Sequence, residues 1–234
     1  MNKSIFVAAV TASVVFSLPK VASACTPYGI IGENWNTFQS VLGPCTDDEH
    51  DDNVYDTQGA SGRIETFQYG WSEWHAGNSY AAEVHGSIGQ AWMGRYGGPS
   101  VIGFPITNQT EAAQTHNPVV DQRNIFSDDA GDQSELYWGS QCTNSDYVCG
   151  IWGRILVVWR QYGDYGDWYP NSESYVGIGW PTNDVHDDSN HAYALQNFQG
   201  GSIAWNKSNG HSCLYWDSTL YYSEGADCPS FPPN

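Results

Sequence analysis

The sequence predicts an α+β domain of three pseudo-symmetric repeats, each a short amphipathic helix followed by a β-hairpin, stapled by disulfide bonds. Two observations predict the repeats: a helical pattern and a turn pattern each recur in the same order along the chain. A third observation predicts the disulfides, because six cysteines follow an N-terminal leader-like segment. Since a unit of this size cannot bury both faces of a hairpin alone, we expect neighbouring repeats to pack together.

Composition narrows the class of protein before any motif is considered. The 234 residues carry 8 Lys+Arg against 26 Asp+Glu, a formal net charge of −18. Proteins bind phosphate backbones through basic residues, so this charge argues against a nucleic-acid partner and against docking on an anionic membrane. With 40% hydrophobic and 15% aromatic residues, the chain has enough apolar material to fold around a core.

The first 24 residues read as a secretory signal peptide. A basic start precedes an apolar run from Ile5 to Leu18, and Ala22-Ser23-Ala24 supplies the small-residue cleavage pattern. The apolar run is too short for a stable anchor, and no later segment is long and apolar enough to span a membrane. We therefore expect an exported protein, extracellular or associated with the cell envelope. The alternative is a lipoprotein with a lipidated Cys25, which would leave Cys45 without a partner.

Residues 25–234 are predicted to be one domain. The repeats cover about 25–83, 84–149 and 150–216, with a C-terminal tail at 217–234. These are called repeats 1, 2 and 3 below.

Each repeat opens with the pattern Gly-x-Ile-x-x-x-Trp. Because Ile and Trp four residues apart lie on one helical face, the pattern predicts a short helix that buries both side chains. The three occurrences are Gly29, Ile31, Trp35; Gly86, Ile88, Trp92; and Gly153, Ile155, Trp159.

A turn and a hairpin follow each helix. Gly-aromatic-Pro is turn chemistry, and it occurs as Ile102-Gly103-Phe104-Pro105 and Ile178-Gly179-Trp180-Pro181. Repeat 1 departs from it with Leu42-Gly43-Pro44-Cys45. Phe67-Gln68-Tyr69-Gly70 and Phe198-Gln199-Gly200-Gly201 then predict hairpins. The equivalent segment of repeat 2 is interrupted by an acidic insert.

The cysteines fall into three pairs that are local in sequence. Six cysteines allow 15 connectivities. Local pairing favours Cys25–Cys45, Cys142–Cys149 and Cys213–Cys228.

These three patterns together resemble the LGFP repeat, over about residues 28 to 216. The resemblance implies a secreted, envelope-associated module whose repeats form a closed, propeller-like arrangement. Such repeats are often appended to hydrolases or mycolyltransferases, where they are thought to hold the protein on the cell wall. No catalytic domain accompanies them in this sequence.

Specific function should lie where the repeats differ, and repeat 3 has an additional aromatic loop between its helix and its turn. Exposed aromatic rings stack on the apolar faces of sugars, while carboxylates bind hydroxyls. The loop therefore predicts a glycan-binding site, although the same rings could instead cover the core. The candidate ligand-binding residues are Tyr162, Asp164, Tyr165, Asp167, Trp168 and Tyr169.

Two acidic segments form the other departure, one after the turn of repeat 1 and one after the turn of repeat 3. Clustered carboxylates could hold Ca²⁺, and with histidine included Zn²⁺ is conceivable as the second choice. A solvated acidic loop is the alternative, because neither segment fits the EF-hand pattern. The candidate metal ligands are Asp47, Asp48, His50, Asp184, His186 and Asp187.

The sequence carries no nucleophile elbow, zinc-protease motif or phosphate loop. We therefore expect a secreted, non-catalytic module that binds cell-wall or extracellular polysaccharide, and not an enzyme. Two alternatives stay open: a secreted hydrolase of glycan or peptidoglycan that uses an unrecognised pair of carboxylates, and a structural protein with Ca²⁺-bridged acidic loops.

Overall fold

The structure is a computed structural model that describes residues 25–55, 61–113, 120–128, 131–163, 177–225 and 227–229. The described residues form three antiparallel sheets, each preceded along the chain by a helix that starts a repeat.

The three helices that open the repeats begin at equivalent glycines, as the sequence predicts. Gly29, Gly86 and Gly153 have φ of +56°, +58° and +60°, a region that favours glycine. The helices are α1 (Gly29–Leu42), α2 (Gly86–Met93) and α4 (Gly153–Val158), with a short α3 (Pro99–Ile102) after α2. A π-helical turn at Trp159–Gly163 extends α4.

Fourteen strands form the three sheets in the described residues. Sheet 1 has the order β1-β2-β3-β4, with β1 (His50–Tyr55), β2 (Ser61–Phe67), β3 (Gly70–His75) and β4 (Ala82–His85). Sheet 2 contains β5 (Phe104–Pro105), β6 (Thr110–Ala113), β7 (Val120–Ser127), β8 (Gln133–Trp138) and β9 (Val148–Trp152). Sheet 3 runs in sequence order through β10 (His186–Asp187), β11 (Tyr193–Phe198), β12 (Gly201–Asn206), β13 (Ser212–Trp216) and β14 (Thr219–Ser223).

The sheets are built alike around a central hairpin. Phe67 pairs with Gly70, and Phe198 pairs with Gly201, at the turns of the predicted hairpins. The turn segment of each repeat bridges the strand that carries its phenylalanine. In sheet 2 the turn segment forms β5, which pairs with β7. Strand β6 pairs with an earlier part of the same strand β7.

The predicted fold class is wrong. The chain is mostly antiparallel β-structure, and its described residues form neither a closed barrel nor a propeller. Each repeat carries a sheet where a single hairpin was expected. The additional strands include β1 and β10, which lie in the acidic segments interpreted as loops. Backbone pairing with a neighbour forms such a strand without the apolar alternation that makes strands visible in a sequence.

Helices α2 and α4 each pack between the sheet of their own repeat and the preceding sheet, whereas α1 packs on sheet 1. The core around α4 combines Tyr137 and Ile151 of sheet 2 with Trp180 and Phe198 of repeat 3. The core around α2 likewise joins Ile64 of sheet 1 to elements of sheet 2. The repeats therefore share their cores.

The chain before the first helix and after the last repeat differs from the connections between repeats. The segment Cys25–Tyr28 before α1 is not a strand, whereas strands β4 and β9 lead directly into α2 and α4. At the other end, Asp217 and Ser218 turn the chain with φ of +41° and +68°, and β14 then pairs along β13. A further helix would begin at this point, so β14 ends the series as a capping strand.

All three predicted disulfides are confirmed. The Cα–Cα distances are 5.6 Å for Cys25–Cys45, 5.7 Å for Cys142–Cys149 and 5.8 Å for Cys213–Cys228. Among the described residues, no helix is long and apolar enough to cross a membrane.

Candidate functional site

Carboxamide side chains hold successive sheets together. Gln196 Nε2 of sheet 3 donates to the carbonyl of Gly150 on β9, at 2.9 Å, and to that of Asn183, at 2.8 Å. One repeat earlier, Asn124 donates to the carbonyls of Glu83 and Thr107, both at 3.0 Å. These hydrogen bonds fix the relative positions of neighbouring sheets, and side chains from both can therefore form a common site.

A cleft opens at the junction of repeats 2 and 3. We call it the junction cleft, and it encloses about 530 Å³, within the range of roughly 300–1,000 Å³ typical of small-molecule sites. Four segments line it: the end of α2 with α3, the turn between β7 and β8, the start of α4, and the turn before β10. Its residues include Arg95, Tyr96, Val101, Asp128, Asp132, Gln133, Trp152, Asp184 and Val185.

One wall of the junction cleft is a charged cluster centred on Asp184. Its carboxylate accepts hydrogen bonds from Tyr96 Oη at 2.5 Å, from Arg95 Nη1 at 3.1 Å and from the backbone N–H of Gly150 at 2.8 Å. Arg95 also pairs with Asp146 at 3.1 Å. Burial, and then the hydrogen bond to Asp184, raise the pKa of Tyr96. The phenol therefore stays neutral and acts as a donor.

Aromatic rings and polar side chains meet inside the cleft. The half-buried Trp152 contacts the buried Tyr96 edge to face, with ring centroids 6.0 Å apart. Exposed Asp132 and half-buried Gln133 line the cleft as well, next to Ser134, which pairs with Trp152 across strands β8 and β9. An aromatic surface next to hydroxyl-binding groups suits a ligand with both apolar and polar faces.

A second groove continues from the junction cleft along α4. The two share Asp132, Gln133 and Gly153, so they form one continuous depression. Leu156, Val157 and Arg160 line the far part, which encloses about 450 Å³. Arg160 is held there by Glu135, at 2.7 Å from Nε, and by Gln133, at 2.6 Å from Nη1.

The candidate ligand-binding loop cannot be placed in this site. Asp164, Tyr165, Asp167, Trp168 and Tyr169 lie outside the described residues, and the backbone of Tyr162 belongs to the π-helical turn. The loop follows directly on that turn, whose Arg160 lines the groove along α4. The role of these residues in binding stays a prediction.

The six candidate metal ligands are distributed over two repeats. Asp47 accepts the backbone N–H of Asp48 at 3.0 Å, and His50 Nδ1 lies 3.0 Å from the Asp48 carbonyl. His186 makes the equivalent contact, at 3.1 Å, with the carbonyl of Asp184, and Asp184 itself lies in the junction cleft.

Asp187 is hydrogen-bonded to Lys207 and His191. The hydrogen bond from Lys207, and then that from His191, lower its pKa. Among the described residues, the one group of three potential ligands close enough to share a metal is Cys25, Cys45 and Glu65, and its two cysteines are joined in a disulfide. A Ca²⁺ or Zn²⁺ site stays a prediction.

Two buried acidic arrangements lie outside the cleft. Glu83 accepts from His85 Nδ1 at 2.6 Å, and Gln109 Nε2 lies 3.3 Å from His85 Nε2, so both ring nitrogens are engaged. These contacts place the histidine at the junction of repeats 1 and 2.

The second arrangement is a pair of carboxyl groups. Burial, and then the neighbouring Asp52, raise the pKa of Glu73 well above its ordinary range. Gly62 makes room for this pair, since a Cβ there would lie 1.9 Å from Asp52 Oδ2.

Sequence reasoning missed most of the junction cleft. Arg95, Tyr96, Gln133 and Trp152 come from segments that meet only after folding. One sequence feature could have pointed to the cleft, because the residue before the helix-starting glycine differs between the repeats. This residue is Tyr28, His85 or Trp152.

In comparisons with known proteins, no protein-family profile and no curated protein matches the chain. The resemblance to the LGFP repeat therefore stays a prediction.

Proposed function

We propose that this protein is a secreted, non-catalytic module that binds cell-wall or extracellular polysaccharide, with the junction cleft as its binding site. The observation that carries the proposal is the half-buried ring of Trp152 inside a cleft that is also lined by the polar side chains of Asp132 and Gln133. The predicted signal peptide, the three disulfides and the resemblance to envelope-associated repeats support secretion.

The shape of the site favours a chain over a single sugar. The junction cleft and the groove along α4 share three lining residues, so an extended ligand can pass from Val185 towards Arg160 without leaving the depression. Pyranose rings would stack on Trp152 through their C–H faces, and their hydroxyls would bond Asp132 and Gln133.

The charges of the cleft favour a neutral chain. Arg95 is paired with Asp184 and Asp146, and Arg160 is paired with Glu135. The lining aspartates Asp128 and Asp132 then add negative charge, and the whole chain has a net charge of −18. Sulfated or carboxylated polysaccharides would meet repulsion that a neutral chain avoids.

The carboxylates of the cleft support binding without hydrolysis. A glycosidase needs a general acid whose surroundings keep it protonated. Asp184 already accepts from three donors, one of them a guanidinium, and Asp132 is exposed to solvent. The hydrogen bonds of Asp184 give this carboxylate a structural role in the wall of the cleft, which favours binding over catalysis.

The test is sedimentation of the oxidised protein with insoluble polysaccharides and purified cell walls, with soluble sugar assayed in the same tubes. Val101 is 66% exposed and lines the cleft, so Val101→Trp should fill the cleft without disturbing the core. Val41→Trp is the matched control, because Val41 is 36% exposed on α1 and does not line the cleft.

We expect the wild type and Val41→Trp to sediment, and Val101→Trp to stay in solution at an unchanged melting temperature. Trp152→Ala should also weaken binding. Equal sedimentation of both Val→Trp variants would place binding elsewhere, and release of soluble sugar would identify a hydrolase.

A further inference from the structure

A smaller cavity lies in repeat 1, far along the chain from the junction cleft. We call it the repeat-1 groove, and it encloses about 170 Å³, about a third of the volume of the junction cleft. It is lined by Tyr28, Gly29, Ile30, Glu49, Arg63 and Trp74, together with Ile31.

The two cavities share two side-chain positions of the repeat, one before the helix and one after the turn. Tyr28 precedes the first glycine of α1 in extended backbone, with φ −136°, and Trp152 precedes that of α4, with φ −151°. Glu49 and Val185 each lie six residues after the glycine of their turn. An aromatic ring before the helix and a side chain after the turn therefore line both cavities.

Repeat 2 fills the corresponding position with its own side chains. His85 stands before the helix glycine, and Gln109 lies six residues after the turn glycine Gly103. Gln109 contacts His85 at 3.3 Å and donates to Gln122, while Glu83 holds the other side of the imidazole. The middle position is thus closed by hydrogen bonds, and the two outer positions are open.

The chemistry of the repeat-1 groove suits a neutral sugar. Tyr28 is 63% exposed, and the indole N–H of Trp74 is already bonded to the Asn78 carbonyl at 2.8 Å, so that ring offers its apolar surface. Arg63 pairs with Glu49 and, at 3.0 Å, with Asp51. The guanidinium can donate to sugar hydroxyls and the carboxylates can accept from them, with no net positive charge left for an anion.

We propose that the repeat-1 groove is a second glycan-binding site, so that one chain engages two glycan segments at once. The inference rests on the proposed function, because it assigns the same ligand class to a second place. Its smaller volume accommodates fewer sugar units than the junction cleft. Two sites on one chain raise the avidity for a polymer and allow the protein to bridge neighbouring glycan strands.

The test combines stoichiometry with bridging. Isothermal titration uses four soluble probes, cellohexaose, chitohexaose, laminarihexaose and maltohexaose, and agglutination uses beads coated with the polysaccharide that sediments the protein. The variants are Tyr28→Ala in the repeat-1 groove and Val101→Trp in the junction cleft. Tyr69→Ala is the control, because Tyr69 is 56% exposed and lines neither cavity.

We expect two sites per chain in the wild type and in Tyr69→Ala, and one site in each of the other variants. Removing the stacked ring of Tyr28 should weaken its site by roughly tenfold or more. Agglutination should be lost in Tyr28→Ala while sedimentation is kept, because bridging needs both sites and simple binding needs one.

The two proposals fail differently. A single site in the wild type that Val101→Trp abolishes and Tyr28→Ala leaves intact overturns the second site and keeps the proposed function. A single site that only Tyr28→Ala removes overturns the junction cleft as a binding site and overturns bivalency with it. No binding of any probe or polysaccharide by the wild type overturns both.

Discussion

The indole Nε1 of Trp159 donates a hydrogen bond to the carbonyl of Gly179, at 3.1 Å, although 20 residues separate them. The same bond joins Trp92 to Gly103 at 3.3 Å across 11 residues, and Trp35 to Gly43 at 2.9 Å across 8. The connection between helix and turn therefore varies in length while the core contact is kept. Repeat 3 can carry its additional aromatic loop because this bond anchors both ends of the connection.

The first prediction concerns that bond. Trp159→Phe leaves the carbonyl of Gly179 without its indole partner in a buried place, and should cost about 1–3 kcal/mol in the free energy of unfolding. Trp35→Phe should cost less, because Trp35 is only partly buried and water can replace its bond. Urea denaturation of both variants measures the difference, and equal losses would contradict the role assigned to burial.

The second prediction concerns the turn glycine of repeat 2. Gly103 has φ +90°, and a Cβ there would lie 2.1 Å from the carbonyl oxygen of Ser127. Gly103→Ala should therefore cost several kcal/mol, since the backbone of β7 must move. Gly77→Ala is the control: its φ is +98° but nothing lies within 4 Å, so only the conformational cost of about 1–2 kcal/mol remains. Similar melting temperatures for the two variants would show that the contact with Ser127 is unimportant.

The third prediction tests the attachment of sheet 3 of repeat 3 to sheet 2 of repeat 2. Gln196→Leu removes the donor shared by the carbonyls of Gly150 and Asn183 and should destabilise the chain by about 2–3 kcal/mol. Because the junction cleft lies between these repeats, binding in the cleft should weaken as well. Asn197→Ala, an exposed neighbour on the same strand, should leave both properties nearly unchanged. If Gln196→Leu were as stable as Asn197→Ala, the Gln196 side chain would not stabilise the junction.

The fourth prediction is a pH dependence. Glu65 is buried at the position that Asn124 and Gln196 occupy in the later repeats. Burial, and then the nearby Glu49 and Asp48, raise its pKa to about 7 from the ordinary value of 4.5. The folded state therefore binds this proton more tightly than the unfolded state does.

It follows that the stability contributed by protonated Glu65 is complete below about pH 4.5 and is lost as the pH rises towards 7. Glu65→Gln should make the chain more stable at pH 7.5 by about 2 kcal/mol, and should flatten this part of the pH profile. Exposed Glu33→Gln serves as the control. A wild-type profile that Glu65→Gln leaves unaltered would show that the carboxyl titrates normally.

Much of the fold was predictable where the signal is local. The helix-starting glycines, the Ile and Trp of each helix and the Gly-aromatic-Pro turns could be identified because each depends on residues a few positions apart. The disulfide pairs were predictable for the same reason. The sheets were underestimated, because β1 and β4 contain polar side chains that hide the apolar alternation of a strand, although each pairs with a neighbouring strand of the chain.

The sequence by itself determined the repeats, the helices and the cysteine pairs, since these follow from backbone sterics and short-range spacing. Only the tertiary structure decided that Arg95 would meet Asp184 across 89 residues, and that Trp152 would line a cleft with both. It also decided that the equivalent position of repeat 2 is closed by His85 and Gln109 while those of repeats 1 and 3 are open. Packing between repeats brings these groups together, and that arrangement depends on shape and hydrogen bonding over the whole junction, which no local pattern encodes.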